Sequence, residues 1–351
     1  MNREFKIRNV LCRNRIAIPP MVCFGWTNND GYVTDRNVEH YKALAEGGAG
    51  LVIVEATAVC ARGRLHPSEL GLWEDGQTEG FRRIAEAIHA GGAPAFIQLV
   101  HAGGNGVDHE AADAPSDMSY VFGNRGREMS KERIELVKSE FAAAAVRAKD
   151  AGFDGVEIHG CHGYLVSCFF NSRKNLRTDE YGRDKSLFAK EVLTAVREAC
   201  GKDFCVGIRL GAFEPTLEDA ICHAKDIAAY TDFLDVAYGG DSDPYKPDDF
   251  PCSPAIYGAM LIKKELPDMP VFGVHLINSR EDVERALATG IDMVDVGKAS
   301  LVDYSFANHV LNNEPAGSCL QCKGFCKWNP GSSENPDVKC PGKMKFVSAN
   351  H

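Results

Sequence analysis

The 351-residue sequence has no apolar run approaching the roughly 20 residues that a membrane-spanning helix needs. Its opening, Met1-Asn2-Arg3-Glu4-Phe5-Lys6-Ile7, lacks the apolar centre of a secretion signal. A membrane protein is not expected, and a cytoplasmic location is. Positive charge is scarce: 39 Lys and Arg stand against 49 Asp and Glu, a net charge of −10. That balance argues against nucleic acid or an anionic bilayer as the main partner. No G-x-G-x-x-G turn follows the first strand-like segment, so a doubly wound dinucleotide-binding sheet is only the runner-up architecture. Disorder is excluded as the main state by 44% hydrophobic and 25% charged residues.

What the chain does contain is short β-branched runs alternating with helical patterns, the signature of a parallel sheet built from strand–helix units. Strands are expected at Arg15–Ile18, Leu51–Glu55, Ala95–Leu99, Gly155–His159, Cys205–Leu210, Phe233–Ala237, Val271–Val274 and Met293–Val296. Helices are expected between them, as at Asp35–Glu46, Gln77–Ala90, Lys131–Ala151 and Arg280–Ala288, several of them closed by glycine. Eight such units predict an α/β fold, a closed (β/α)8 TIM barrel over residues 1–313. The polar, glycine-rich stretch from His101 to Met129 reads as a long loop over the active face. Residues 314–351 break the pattern and read as a short cysteine-rich C-terminal tail.

In such barrels the reactive groups sit where strands end. Pro19-Pro20-Met21 ends the first strand, Ala56-Thr57 the second, and Gln98 with His101 the third. His159 and His162, followed by Tyr164, end the fourth; Arg209 ends the fifth; Gly273 and Gly297-Lys298 end the last two. Any one of these is ordinary as a structural residue, and Arg209 could simply pair with Glu214 or Asp235. Together they are costly to bury without a ligand that satisfies them. Two imidazoles can polarise a carbonyl oxygen, and a phenol can deliver a proton to carbon. A metal site is the competing reading of this turn, with Glu157 and Cys161 nearby, but spacing fixes no third ligand. Glycines and a lysine after the last strands suit a phosphate.

These residues resemble the old yellow enzymes, a family of FMN-dependent ene-reductases. The resemblance runs in order through Asn14-Arg15-Ile16, Pro20-Met21, Asp30-Gly31, His40-Tyr41, Leu70-Gly71-Leu72-Trp73, Ile97 to Gly103, Glu157-Ile158-His159, His162-Gly163-Tyr164-Leu165 and Arg177 to Gly182. It implies that Pro20, Met21, Ala56 and Gln98 contact the flavin ring, that Arg209 sits by its N1/O2 edge, and that Gly273, Gly297 and Lys298 hold its phosphate. It also implies that His159 and His162 bind a substrate carbonyl oxygen, that reduced flavin gives hydride from N5 to the β-carbon, and that Tyr164 protonates the α-carbon. Three departures stand out. Lys298 replaces the usual Arg, giving a point charge in place of a two-pronged fork. Val22 stands where many relatives carry a flavin-tuning Cys or Thr, and Cys23, one residue along a strand, would face the other way. The usual Gly-Gly-Ser-x-Glu-Asn-Arg run after Gly182 is missing.

With an odd total of 13 cysteines and no secretion signal, a disulfide framework is not expected. Four of them follow the pattern Cys319-x2-Cys322-x3-Cys326-x13-Cys340-Pro341. The bare spacing suits a 4Fe–4S cluster, a four-thiolate zinc site, or reduced surface thiols. The branch that resembles 2,4-dienoyl-CoA reductase and trimethylamine dehydrogenase carries a 4Fe–4S cluster just after its barrel at a similar spacing, and this resemblance favours the cluster. That branch continues into an FAD- and NAD(P)-binding region, whose fingerprint is not seen here. Electrons are therefore expected from NAD(P)H itself or from a separate subunit, ferredoxin or flavoprotein.

The expected activity is reduction of an activated C=C bond in a small unsaturated carbonyl compound, an enone or enoate. The alternative is an FMN/4Fe–4S dehydrogenase or demethylase of the trimethylamine dehydrogenase type, passing electrons to a partner. A tRNA-modifying FMN barrel runs against the net charge, and a non-catalytic binding subunit with structural zinc is the bland reading. A homo-oligomer is left open.

Overall fold

Val, Ile and Leu crowd the segment Leu51–Ala58, and every one of its residues is buried, as a strand covered on both faces requires. Ala95–Val100, Gly155–Gly160 and Cys205–Gly211 are buried throughout in the same way. With Ile16–Ile18, Leu234–Ala237, Val271–Val274 and Met293–Asp295 they make eight strands, labelled β1 to β8 in chain order. All neighbours pair in parallel and β8 returns to β1, so the sheet closes into a barrel. These strands fall where the β-branched runs placed them. This computed structural model describes residues 1–107, 112–120, 124–323, 326, 328 and 340–349.

Four of the helices that wrap the barrel begin on side-chain caps. Ser130, Thr216, Ser253 and Ser279 each accept a hydrogen bond from a backbone N–H in the first turn of the helix that follows, a contact worth about 1 kcal/mol apiece. Their apolar faces cover the strands from outside, and Phe141, Val192, Ile227 and Ile262 are fully buried there.

The lower end of the barrel is plugged with aromatic rings. Phe233 stacks on Phe272 with centroids 5.0 Å apart and lies 5.5 Å from Phe96. Gly207 makes room for them: a Cβ at that position would stand 2.0 Å from the ring of Phe233. An antiparallel hairpin of Phe5–Ile7 and Val10–Cys12, which the sequence reading did not anticipate, packs Ile7, Val10 and Cys12 into the same cluster and seals this end.

Two excursions decorate the upper end. The stretch from His101 to Met129, read as a loop, holds a three-stranded sheet of Ala112–Ala114, Met118–Ser119 and Arg125–Glu128, with 108–111 and 121–123 outside the described residues. Its strands are short and polar, so no apolar alternation announced them. The Tyr120 ring lies against Gly104 and Gly126, where any Cβ would meet it at 2.4 Å. Past Asn313 the chain crosses the mouth and ends in a helix, Pro341–Ala349, that the sequence reading did not foresee. Trp328 and Cys340 bury themselves against Cys23, Trp26, Leu301 and Val302, while 324–325, 327, 329–339 and 350–351 of the expected tail lie outside the described residues. No helix among the described residues is long and apolar enough to cross a membrane.

Candidate active site

Strand register gathers the polar side chains inside the upper barrel. Arg209 of β5 pairs with His159 of β4 on one side and Asp235 of β6 on the other, and Gln98 of β3 pairs with Glu157 of β4. Side chains at paired positions share a face of the sheet. Accordingly Gln98 Nε2 donates to Glu157 Oε1 at 2.6 Å, and Arg209 Nη1 lies 3.2 Å from Asp235 Oδ2. Of the two partners weighed for Arg209, Asp235 is thus the real one. Glu214 instead accepts from Ser167 Oγ at 2.9 Å and Asn171 Nδ2 at 3.0 Å.

The ion pair leaves much unsatisfied. Arg209 Nε, Glu157 Oε2 and both oxygens of Asp295 are buried with no hydrogen-bond partner among the described residues. Burial, followed by repulsion from Asp235, pushes the carboxyls of Glu157 and Asp295 well above their usual range. One guanidinium among three buried acids leaves polar atoms for a ligand to satisfy.

At the top of β4 the chain turns sharply, with His162 at φ +59° and Gly163 at φ +74°. The turn brings His159 Nε2 to 3.3 Å from His162 Nδ1 and sets the Tyr164 ring edge-on to His159, centroids 4.7 Å apart. Burial, reinforced by the charge of Arg209, lowers both imidazoles, and burial raises the phenol. Two neutral rings that can donate hydrogen bonds and one phenol that keeps its proton therefore share one corner of the mouth.

Beside Arg209 the mouth opens into a cavity of about 390 Å³, a size suited to a small-molecule site. Pro20, Met21, Arg209, Gly297 and Lys298, five of the residues marked for a flavin, line it together. A Cβ on Gly297 would come within 3.3 Å of Met21 Sδ, a tight contact that the glycine avoids while leaving its backbone open to the cavity. The other three marked residues lie outside this lining. Ala56 sits buried at an irregularity in β2 between Val54 and Thr57, and Gln98 is tied to Glu157. A side chain on Gly273 would strike Ile256 and Ile291 at 2.7 and 2.9 Å, so that glycine serves helix packing on β7.

Sequence reading missed His275 and Asp295, which also line the cavity. His275 has φ +103° and a buried Nδ1 without a partner among the described residues. Their signal was position, directly after or at the end of β7 and β8. The reading of Cys23 also needs correction: β1 ends at Ile18, so strand alternation does not govern Pro19 to Cys23. Cys23 N–H instead donates to Glu55 Oε2 at 2.7 Å. A partnerless guanidinium N–H, the Lys298 ammonium and the half-buried Gly297 backbone fit the pyrimidine edge and phosphate of FMN.

Cys319, Cys322, Cys326 and Cys340 line the same cavity, just beyond Lys298. Among the described residues, the side-chain sets compact enough to grip one metal ion are His159–Cys161–His162 and Cys60–His101–Glu140; no three of the tail cysteines form such a set.

Fold and site together define a TIM-barrel flavin oxidoreductase. Residues 3–316 match the NADH:flavin oxidoreductase / NADH oxidase family, and the chain belongs to that family, the old yellow enzymes indicated by its motifs. It is 35% identical over 319 residues to an NADPH dehydrogenase of Bacillus cytotoxicus, covering 88% of this chain and 91% of that protein. It is also 35% identical over 346 residues to an NADH oxidase of Thermoanaerobacter brockii, covering 92% of this chain but 52% of the relative. A solved 2-naphthoyl-CoA reductase in complex with 2-naphthoyl-CoA superposes with a TM-score of 0.83 at 26% identity, covering 91% of this chain and 54% of that one. This chain therefore spans about half the length of the latter two proteins.

Proposed function

We propose that this protein reduces the C=C bond of a small α,β-unsaturated carbonyl compound, with FMN as resident cofactor and NAD(P)H as electron source. The observation that carries the proposal is the corner formed by His159, His162 and Tyr164 beside the Arg209–Lys298 cavity. FMN, when bound, supplies hydride at N5. The two imidazoles hold the substrate's carbonyl oxygen through hydrogen bonds and draw electron density away from the β-carbon. Tyr164, kept protonated by burial, hands its proton to the α-carbon as the new C–H bond forms at the β-carbon. Lys298 and the Gly297 backbone hold the phosphate. Arg209 offsets negative charge on the pyrimidine edge, and Pro20 and Met21 face the ring. The relatives' names, an NADPH dehydrogenase and a reductase of an aromatic thioester, agree with this direction of electron flow.

The tail cysteines hold a 4Fe–4S cluster in this reading. Ligands to a cubane attach to separate iron atoms, whereas one zinc ion draws its four sulfurs together. Tail sulfurs of which no three lie within 4.8 Å of one another support the wider spacing of the former. Because they line the flavin cavity, a second reading is a dehydrogenase that sends electrons from substrate through the cluster to a partner.

Tyr164→Phe tests the first reading. Turnover of an enone is expected to fall about 100-fold or more, with FMN still bound and still reduced by NAD(P)H. Unchanged turnover would remove Tyr164 from the reaction. Four iron and four sulfide per chain in anaerobically purified protein are expected of the tail; one zinc ion in their place would make it structural.

A further inference from the structure

The turn after β4 carries one group that the proposed reaction does not use. Cys161 lies between His159 and His162 in sequence, and its thiol is fully buried. Its Sγ is 3.3 Å from His162 Nδ1 and 3.9 Å from His159 Nδ1, and His162 Nδ1 is itself 3.3 Å from His159 Nε2. One donor atom from each of the three lies within 4.8 Å of the other two. Around a tetrahedral zinc ion, with Zn–N of about 2.0–2.1 Å and Zn–S of about 2.3 Å, neighbouring donors stand about 3.4–3.6 Å apart. With one nitrogen from each imidazole and the thiol all within 4.8 Å of one another, a small side-chain adjustment brings the three to ligating distance. The backbone imposes this: His162 is held at φ +59°, a left-handed conformation uncommon outside glycine, which folds residues 159 to 162 around one point.

We infer that His159, Cys161 and His162 form a three-ligand site for a soft divalent cation of the zinc class, its remaining position open at the barrel mouth. Two imidazoles and a thiolate select Zn2+ or Co2+ over Mg2+ or Ca2+. On binding, the Cys161 S–H bond gives way to a sulfur–metal bond and the proton leaves to solvent. His162 packs its ring against His159 but keeps part of its surface open to solvent, so the ion has a way in, and a water or a ligand oxygen can complete the shell.

The other compact trio shows what a committed set looks like. His101 Nε2 lies 3.2 Å from Asp113 Oδ2, and Arg133 Nη1 lies 3.1 Å from Glu140 Oε1, so charged neighbours compete with an ion for two of its three members. Among the described residues, no carboxylate or guanidinium is hydrogen-bonded to His159, Cys161 or His162; their printed partners are one another and the Cys161 backbone. One consequence rests on the proposed function: the ion takes the imidazole nitrogens that would otherwise hold a carbonyl oxygen, so metal and substrate exclude each other.

The test uses the full-length protein with flavin bound and its tail site filled, compared with Cys161→Ala and Cys161→Ser. In equilibrium dialysis against zinc chloride, the unmodified protein is expected to take up one zinc ion more than either variant, and magnesium chloride to add none. Cobalt is expected to give a thiolate-to-cobalt absorption band that Cys161→Ala lacks. Zinc is expected to slow enone-driven flavin reoxidation, and about tenfold more zinc to be needed in Cys161→Ala, whose rate without metal is unchanged. Equal zinc uptake and affinity in all three proteins would overturn the site whatever the enone activity. Extra zinc uptake in a protein that reduces no enone would uphold the site and sink only the proposed reaction.

Discussion

The barrel and the segment that crosses its mouth are ordered by different means. In the barrel each strand is bonded to two neighbours, and Val52, Ile97, Val156, Ile208 and Val294 are wholly buried between sheet and helices. That order comes from pairing and burial within the chain. Past Asn313 the apolar anchors are few, chiefly Trp328 and Cys340 against Trp26, Leu301 and Val302. The four thiols there face the cavity. Under the proposed function, a segment with so little to bury among its described residues owes its shape to what its cysteines hold, as small metal-stapled units do. That reading sets a part folded by burial against a part folded by ligation.

Cys340→Ala strikes at that difference hardest. It is expected to abolish the metal content of the tail and expose 314–351 to protease, with the barrel's denaturation midpoint shifted by no more than about 1 kcal/mol. A large shift in the midpoint would mean that tail and barrel fold as one. Gly207→Ala is the converse test. Its methyl group meets Phe233, which Phe96 and Phe272 prevent from moving, and overpacking there is expected to cost about 3 kcal/mol in a denaturant titration. The tail's metal content is expected to survive it.

The smallest effect is on pH. Burial raises Glu55 and Glu214 to about 7 and Glu69 to about 8 from 4.5. An acid whose pKa is higher folded than unfolded adds stability fully below the unfolded value and loses it as pH rises through the folded value. The barrel's melting temperature is therefore expected to fall between pH 5 and 8, by roughly 2–4 °C per kcal/mol lost. Glu55→Gln is expected to flatten part of that slope, and an equal slope in the variant would clear Glu55 of it.

The barrel was legible in the sequence because burial on both faces of a strand leaves a mark: a run such as Leu51-Val52-Ile53-Val54 has few other uses. His159, His162 and Tyr164 were legible for a different reason, since three polar groups at one strand end are expensive unless they meet a ligand. Asp295 and His275 were not, because one acid in an apolar strand and one histidine after it look incidental until the fold brings Arg209 and Lys298 beside them. The sheet within His101 to Met129 was hidden as well, its strands being held by ladder bonds and one tyrosine ring with no apolar stripe. Cys161 read as a bystander because thiol–imidazole geometry depends on the left-handed turn at His162, which no pattern of residue types announces.

The rings of Phe96, Phe233 and Phe272, with the N-terminal hairpin beneath them, make the barrel a room with a single door. Under the proposed function, the hydride donor and the unsaturated acceptor must use the same threshold in turn, and raising either one far above the other is expected to slow the whole by blocking the doorway.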